Sequence, residues 1–202
     1  MLSGPEIAQQ ITLGNIVIDP FDPKKLGSNS YDLRLDKRLK VYEAQMAYLD
    51  AWPNFRPSKG LVFGHQVGGL QYRENMILDS RKDNPTIDLE IPDEGIVLVP
   101  GVFYLGATFE HTETYKLVPR LDGRSSVGRL SLEIHRTAGY GDTFYRGRWT
   151  LELACLTPLR IYAGERICQI NYEQVQGNIK KYEGKYQDAD GPQASRKYLD
   201  GD

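Results

Sequence analysis

The chain has 202 residues, 40% of them hydrophobic and 26% charged, with a formal net charge of −2. This is the length of one domain with enough apolar content for a real core, and its near-neutral balance offers no broad basic field to a nucleic-acid polymer or an anionic membrane. No apolar run approaches the ~20 residues of a spanning helix, and the N-terminus lacks the basic-then-apolar pattern of an export signal, so a cytoplasmic protein is expected.

Ser3-Gly-Pro-Glu6 is an S-x-x-E capping box with Pro5 in the first turn. It predicts a short helix over about 4–13, with Ile7 and Ile11 on one face and Gly14 as its stop. Ile16-Val-Ile18 reads as a strand, broken by Asp19-Pro20 and Asp22-Pro23. Tyr31, Leu33 and Leu35 alternate with Asp32, Arg34 and Asp36 as a half-buried strand, and Leu39 and Val41 continue the pattern. Residues 44–93 are broken by many prolines and glycines. They read as an elaborated insertion, a loop or hairpin arm at a subunit contact, with Leu61–Phe63 and Met76–Leu78 as candidate strands.

Gly95–Val99 reads as a buried strand. Phe103, Leu105, Ala107 and Phe109 then alternate with Tyr104, Gly106 and Thr108, and Tyr115–Leu121 leads into a glycine-rich motif. A strand over 131–135 is expected to turn Leu130, Leu132 and Ile134 inward. Trp149, Leu151, Leu153 and Cys155 share one face of the next strand, and Thr150, Glu152 and Ala154 the other. Leu159–Tyr162 and Arg166–Val175 close the pattern. Many short strands with Gly/Pro turns and one short helix indicate an all-β sandwich or barrel. From Gln176 onward there is no periodicity, and composition alone reads as a disordered tail. Cys155 and Cys168 are expected to be buried, reduced thiols.

Two stretches carry chemistry. Gly123-Arg124-Ser125-Ser126 and Arg129 supply two guanidiniums, two hydroxyls and a close backbone approach, a donor set suited to a polyphosphate. One helical turn over 125–129 would add its N–H groups. On spacing alone the same residues are better described as a polar turn whose serines cap local N–H groups. Glu152 lies mid-strand among small or apolar neighbours. A partly buried carboxylate there would have a raised pKa and could move protons near neutrality; a solvent-facing Glu on a one-sided strand fits the alternation as well. His111-Thr-Glu113 matches the first half of the zinc-deaminase pattern, but no C-x-x-C follows and the cysteines are 13 positions apart, so no zinc site is expected. His65 and His135 show no metal spacing either.

Gly123-Arg-Ser-Ser-Val-Gly-Arg-Leu130, Thr137-Ala-Gly139, Asp142 and Thr150-Leu-Glu152 resemble the signature of the dCTP deaminase branch of the dUTPase-like family. Met1-Leu-Ser3, Ile16–Asp22, Ser28–Leu35, Tyr182–Gln187, Gly191-Pro192 and Ser195-Arg196 agree in order. The resemblance covers about 1–43 and 94–197 and fails over the middle segment. It implies a single domain over 1–202 with the distorted β-barrel of the dUTPase-like fold, a homotrimer with active sites between subunits, and a C-terminal lid over 176–202.

The resemblance also implies roles. Glu152 would be the general base of a zinc-free deamination, with Arg129 and Ser125 organising the water and the Ala138 carbonyl as a further water partner. Arg124, Ser125 and Ser126, followed by Val127, Gly128 and Arg129, would bind phosphates, with Mg²⁺ carried by the triphosphate. Asp142 would meet the sugar hydroxyl, the backbone around Thr150 and Leu151 the pyrimidine edge, and Tyr182 and Lys185 the phosphates. Ala189 stands where a Gln is usual, which puts one contact in doubt. Gly141 replaces an expected aliphatic and Thr143-Phe144 a Pro-Gly-like pair. The first expectation is conversion of dCTP to dUTP and ammonia. The alternatives are a bifunctional enzyme continuing to dUMP and pyrophosphate through Asp142, favoured by Gly139 after Ala138, and a non-catalytic nucleotide-binding regulator. A plain dUTPase is disfavoured because it has no need of Glu152. The resemblance admits dTTP as a feedback ligand.

Overall fold

The computed structural model describes residues 1–46 and 74–201. The opening helix, α1 (Gly4–Thr12), forms where its cap predicts: Ser3 Oγ accepts the Glu6 N–H at 3.3 Å. Only half of the capping box closes, because the Glu6 carboxylate accepts from Gln10 Nε2 at 2.7 Å instead of reaching back. Ile7 is fully buried and seats the helix on the core, with Ile11 packed beside it.

Thirteen strands follow in the described residues: β1 (Ile16–Asp19), β2 (Tyr31–Arg34), β3 (Arg38–Tyr42), β4 (Thr86–Glu90), β5 (Ile96–Leu98), β6 (Tyr104–Ala107), β7 (His111–Thr114), β8 (Leu117–Gly123), β9 (Leu132–Glu133), β10 (Arg146–Gly147), β11 (Thr150–Cys155), β12 (Leu159–Ile161) and β13 (Arg166–Gln174). They pair antiparallel in four sheets, ordered β1-β7-β10, β4-β3-β6-β11-β9, β12-β5 and β2-β13-β8. The expected all-β class is therefore what the chain adopts.

One apolar core joins these sheets. Tyr31 and Leu33 from β2, Leu39 from β3, Leu98 from β5, Leu151 and Leu153 from β11, and Ile167, Ile170 and Tyr172 from β13 are each almost wholly buried. The alternation anticipated on β2 and β11 is observed, with Leu151, Leu153 and Cys155 inward and Thr150, Glu152 and Ala154 half-buried. Cys155 and Cys168 are both buried and unpaired. Glu110, fully buried, is bound by Arg34 Nε at 2.7 Å and by the Arg34 N–H at 2.8 Å, which ties β2 to the start of β7.

Several expectations are corrected. The run at 95–99 is an edge strand rather than a buried one: Val97 and Val99 are 41% and 44% exposed, because β5 pairs with β12 alone. Leu130 is 57% exposed, since the helical turn before it runs through Ser131 and β9 begins only at Leu132. Met76–Leu78 is not a strand: a 3-10 turn occupies Glu74–Met76, and among the described residues of this segment the strand is β4, hydrogen-bonded to β3. Leu61–Phe63 lies outside the described residues. The tail, read from composition as disordered, is folded back on the sheet. Its sequence lacks periodicity because it is held by hydrogen bonds and ion pairs rather than by an apolar stripe.

Candidate active site

Nine of the expected site residues line two pockets that share no lining residue. The first is built where β8 ends beside the start of β13, Cys168 opposite Gly123. Gln169 joins its two motifs: Nε2 donates to the Gly123 carbonyl at 3.1 Å, while Oε1 accepts from Ser30 Oγ at 2.8 Å. Arg124 is fixed by Asp32, Nε to Oδ1 at 3.0 Å, and Arg166 takes the other oxygen of the same carboxylate at 3.2 Å. The Ser28–Asp32 stretch thus packs against Gly123 and Arg124.

A helical turn over Ser125–Gly128 follows. The N–H groups of Val127 and Gly128 both donate to the Arg124 carbonyl at 2.9 Å, so those of Ser125 and Ser126 precede the first closed turn and have no acceptor within it. The side chains of Ser125 and Ser126 are exposed at the pocket. With the Arg124 fork they form a ready anion cradle.

The second pocket lies on the outer face of the five-stranded sheet. Phe103 and Leu105, Tyr42, and Thr150 and Glu152 form its floor. β11 and β6 set Glu152 opposite Leu105, so the carboxylate shares its face with an apolar neighbour. Glu152 Oε2 accepts the Arg136 N–H at 2.7 Å. Among the described residues Oε1 accepts no hydrogen bond. Asp142 is exposed at the rim, and Tyr140 and Tyr182 stand beside it.

The tail makes one wall. Tyr182 N–H donates to the Thr143 carbonyl at 3.0 Å, Gln193 N–H to Thr150 Oγ1 at 3.0 Å, and Ser195 N–H to the Tyr42 hydroxyl at 2.9 Å. Ala189 is buried and pairs with Gly147, its carbonyl accepting the Arg148 N–H at 2.7 Å. A Cβ on Gly147, whose φ is +143°, would lie 2.9 Å from the Ala189 backbone, so only glycine allows this approach.

The turn that departs from the family pattern has a physical explanation. A Cβ at Gly141 would lie 2.1 Å from Trp149 Cη2, so the indole fills the volume an aliphatic would take. Trp149 is itself fixed by its indole N–H on Thr112 Oγ1 at 2.8 Å. Thr143 and Phe144 receive the tail: Thr143 Oγ1 donates to the Lys180 carbonyl at 2.9 Å, and the Phe144 carbonyl accepts from Gln187 Nε2 at 2.8 Å. Tyr145 behind them is buried, which pushes its phenol up, and its hydroxyl donates to the Arg148 carbonyl at 3.1 Å.

Asp142, Thr150, Glu152, Tyr182 and Ala189 therefore share the second pocket, and Arg124, Ser125, Ser126 and Gly128 the first. Arg129 and Ala138 are exposed and, like Val127, line neither pocket. The Leu151 side chain points into the core, which leaves only its backbone for a ligand. Lys185 is ion-paired with Asp200 within the tail. The lining residues Tyr42, Phe103, Tyr186 and Gln193 were not singled out as site residues from sequence.

His111 and Glu113, the chance half of a zinc pattern, bind each other at 3.1 Å on β7, and the Tyr115 hydroxyl holds the Glu113 carboxyl below its usual range, helped by His111. Among the described residues no group of three or more His, Cys, Asp or Glu side chains comes together as a metal site.

The family model described as dCTP deaminase-like matches residues 1–54 and 62–175, including much of the middle segment where the sequence resemblance fails. Relatives from Hathewaya histolytica and Clostridium acetobutylicum are each 43% identical over 99% of this chain and 98% of their own length. One from Leptospira biflexa is 42% identical over 99% of this chain and 97% of its own. Each bears the name "dCTP deaminase, dUMP-forming". That naming overturns the first expectation, in which dUTP was the end product. The crystal structure of a 2′-deoxycytidine 5′-triphosphate deaminase from Agrobacterium tumefaciens covers 86% of this chain at a TM-score of 0.53 and 20% identity. The chain spans 48% of that protein, and the likeness is one of fold alone. With the family model matching from the N-terminal helix to the last strand, the chain belongs to the dCTP deaminase-like family.

Proposed function

We propose that this protein is a hydrolase that deaminates dCTP and carries the product on to dUMP, releasing ammonia and pyrophosphate. The observation that carries the reading is the division of the site: an anion cradle at Arg124–Ser126 on one pocket, and Glu152 with Asp142 on another that shares none of its residues. One nucleotide needs both. A homotrimer with the distorted barrel of the family would bring the cradle of one copy to the Glu152 pocket of the next, and would also carry the exposed Arg129 there.

In the first step Glu152 takes a proton from water as the oxygen adds to C4 of cytosine. It passes that proton to N3, then moves the proton of the new C4 hydroxyl to the amine, which leaves as ammonia while the C4 carbonyl forms. The Arg136 N–H on Oε2 holds the carboxylate still while the other oxygen works. Arg129 and Ser125 of the facing copy would stabilise the developing charge, with the Ala138 carbonyl on the water. In the second step Asp142 takes a proton from a water that attacks the α-phosphate, and pyrophosphate leaves. The backbone at Thr150 and Leu151 would read the pyrimidine edge, and the tail with Tyr182 and Lys185 would act as a lid.

The acidic groups of the cradle fit a cation brought in by the triphosphate rather than one held by the protein. Asp32 is taken up by Arg124 and Arg166, and Asp122 accepts the Gly123 N–H at 3.0 Å. Mg²⁺ on the phosphates would neutralise their charge for binding and departure.

The test follows ammonia and pyrophosphate from dCTP, and separately pyrophosphate from dUTP, in Mg²⁺. Ammonia and pyrophosphate released together from dCTP, with dUMP as product, is the expected result. Accumulation of dUTP, or pyrophosphate from dUTP without ammonia from dCTP, would overturn it.

A further inference from the structure

The wall of the Glu152 pocket is seated by charge. Asp188-Ala189-Asp190 runs alongside Arg146-Gly147-Arg148, with Ala189 and Gly147 in a parallel bridge. Asp188 N–H donates to the Arg146 carbonyl at 3.0 Å, and the Asp188 and Arg146 side chains form an ion pair. Asp190 Oδ1 accepts from Arg148 Nε at 3.1 Å.

Beneath this pair is a carboxylate that the chemistry does not use. Asp36, 7% exposed, sits between β2 and β3, its N–H on the Ala107 carbonyl at 2.9 Å. It accepts from the Arg38 N–H at 2.9 Å and from the Arg38 Nε and Nη2 at 2.8 and 3.2 Å. Arg148 Nη1 lies 3.7 Å from Asp36 Oδ2, the oxygen that also takes Arg38 Nη2. Arg38 Nη1 is also 3.7 Å from Asp190 Oδ2. One buried carboxylate thus orients two guanidiniums, and both meet the same tail carboxylate, itself 86% exposed. Burial would raise the Asp36 carboxyl, but the Arg38 donors and the two positive charges hold it below its usual range. Two guanidiniums around one carboxylate leave an excess positive charge, which Asp190 complements.

We propose that Asp36 is a positioning residue for deamination: through Arg38 and Arg148 it seats Asp190 and so fixes residues 187–195 as the wall over Glu152. The proposal rests on the reading of Glu152 given above. It explains how a tail with no apolar stripe brings the Gln193 N–H to Thr150 and the Ser195 N–H to Tyr42. Isolated exposed ion pairs contribute little. This one differs in that its cations are already held from below, so less side-chain entropy is lost when the tail arrives.

The test uses the full chain with Asp190→Asn, Asp36→Asn and Arg148→Lys, and two measurements. Amide exchange is read without nucleotide at Gln193 and Ser195 and, as a control, along β11. KM and kcat are read with dCTP. In wild type, salt should weaken tail protection. Asp190→Asn should lower protection at Gln193 and Ser195 about tenfold, the size of one charge-assisted bond, leave β11 unchanged and reduce the salt dependence to what the Asp188–Arg146 pair supplies. It should raise KM for dCTP by a similar factor with a smaller fall in kcat. Asp36→Asn should do the same, and Arg148→Lys should follow it, because an ammonium cannot bridge both carboxylates. Unchanged tail exchange and KM in Asp190→Asn would overturn the proposal. So would equal loss of protection in tail and β11 in Asp36→Asn beside a silent Asp190→Asn, which is the signature of a merely structural carboxylate. A wild type that releases no ammonia would sink the Glu152 reading, while the exchange arm would still decide the seat.

Discussion

The two pockets are built by different physics. The anion cradle is assembled at the meeting ends of β8 and β13, and its cation is locked by a carboxylate on the adjoining β2. The Glu152 pocket has a rigid floor, the outer face of a central sheet, but its wall is a segment without regular structure held by scattered donors and ion pairs. The cradle is thus preorganised for a ligand of fixed shape. The second pocket depends on where its tail lies, and that division suits a site in which phosphates anchor and the base must be enclosed.

The comparison can be broken in four places. Glu152→Gln keeps the shape and removes the base. Ammonia release from dCTP should fall by ~10²–10⁴-fold, the usual contribution of a general base. Pyrophosphate release from dUTP should survive, since the cradle and Asp142 are untouched; loss of both would mean that the two steps are not chemically separable. Asp32→Asn should free Arg124 from its lock and raise KM for dCTP about tenfold with little change in kcat, as loss of a charge-assisted contact predicts. Steady-state kinetics reads this directly.

Gly147→Ala acts on the other pocket. Its methyl would meet the Ala189 backbone in a left-handed conformation, at a cost of about 1–3 kcal/mol. The tail should be displaced, with KM and kcat both impaired and the cradle unaffected. Inorganic pyrophosphate binding, measured by calorimetry, should stay as in wild type. The smallest effect is that of pH. Asp36 is held low by Arg38 and Arg148 against its burial, and Asp188 by the Arg146 hydrogen bond. A depressed carboxyl stabilises the folded seat above the ordinary carboxylate range, and that contribution is lost as pH falls through the depressed folded values. NMR shifts of the tail amides should therefore hold through mild acid and move, ahead of those of β11, only as pH falls below the ordinary carboxylate range.

What was legible in the sequence follows the same line. The cradle is a run of adjacent residues, so its donors and its one helical turn could be read directly, as could the alternation that puts Glu152 opposite the core face. The strands that escaped notice are those whose burial is polar or partial. On β7 the inward residues are Thr112 and Thr114, both 1% exposed, and hydropathy does not mark a buried threonine. On β4, Ile87 is 39% exposed on an edge strand, so the Thr86–Glu90 alternation stood out little among prolines and glycines. The tail was illegible because ion pairs between positions 36, 38, 148 and 190 leave no local pattern. The oddities at Gly141 and Thr143-Phe144 became intelligible only once Trp149 and the tail were seen to occupy the vacated space. The end product was misread because a single residue, Gly139, was the main sequence signal for it.

The central claim is that the two pockets of one chain are halves of a site completed between copies. Mixing chains carrying Arg124→Ala with chains carrying Glu152→Gln, each inactive alone, tests it most directly, with ammonia release from dCTP as the readout after subunit exchange. Activity returning on mixing is the predicted result, because some interfaces then pair an intact cradle with an intact Glu152. A mixture that exchanges subunits yet stays as inactive as its two parents would contradict the account.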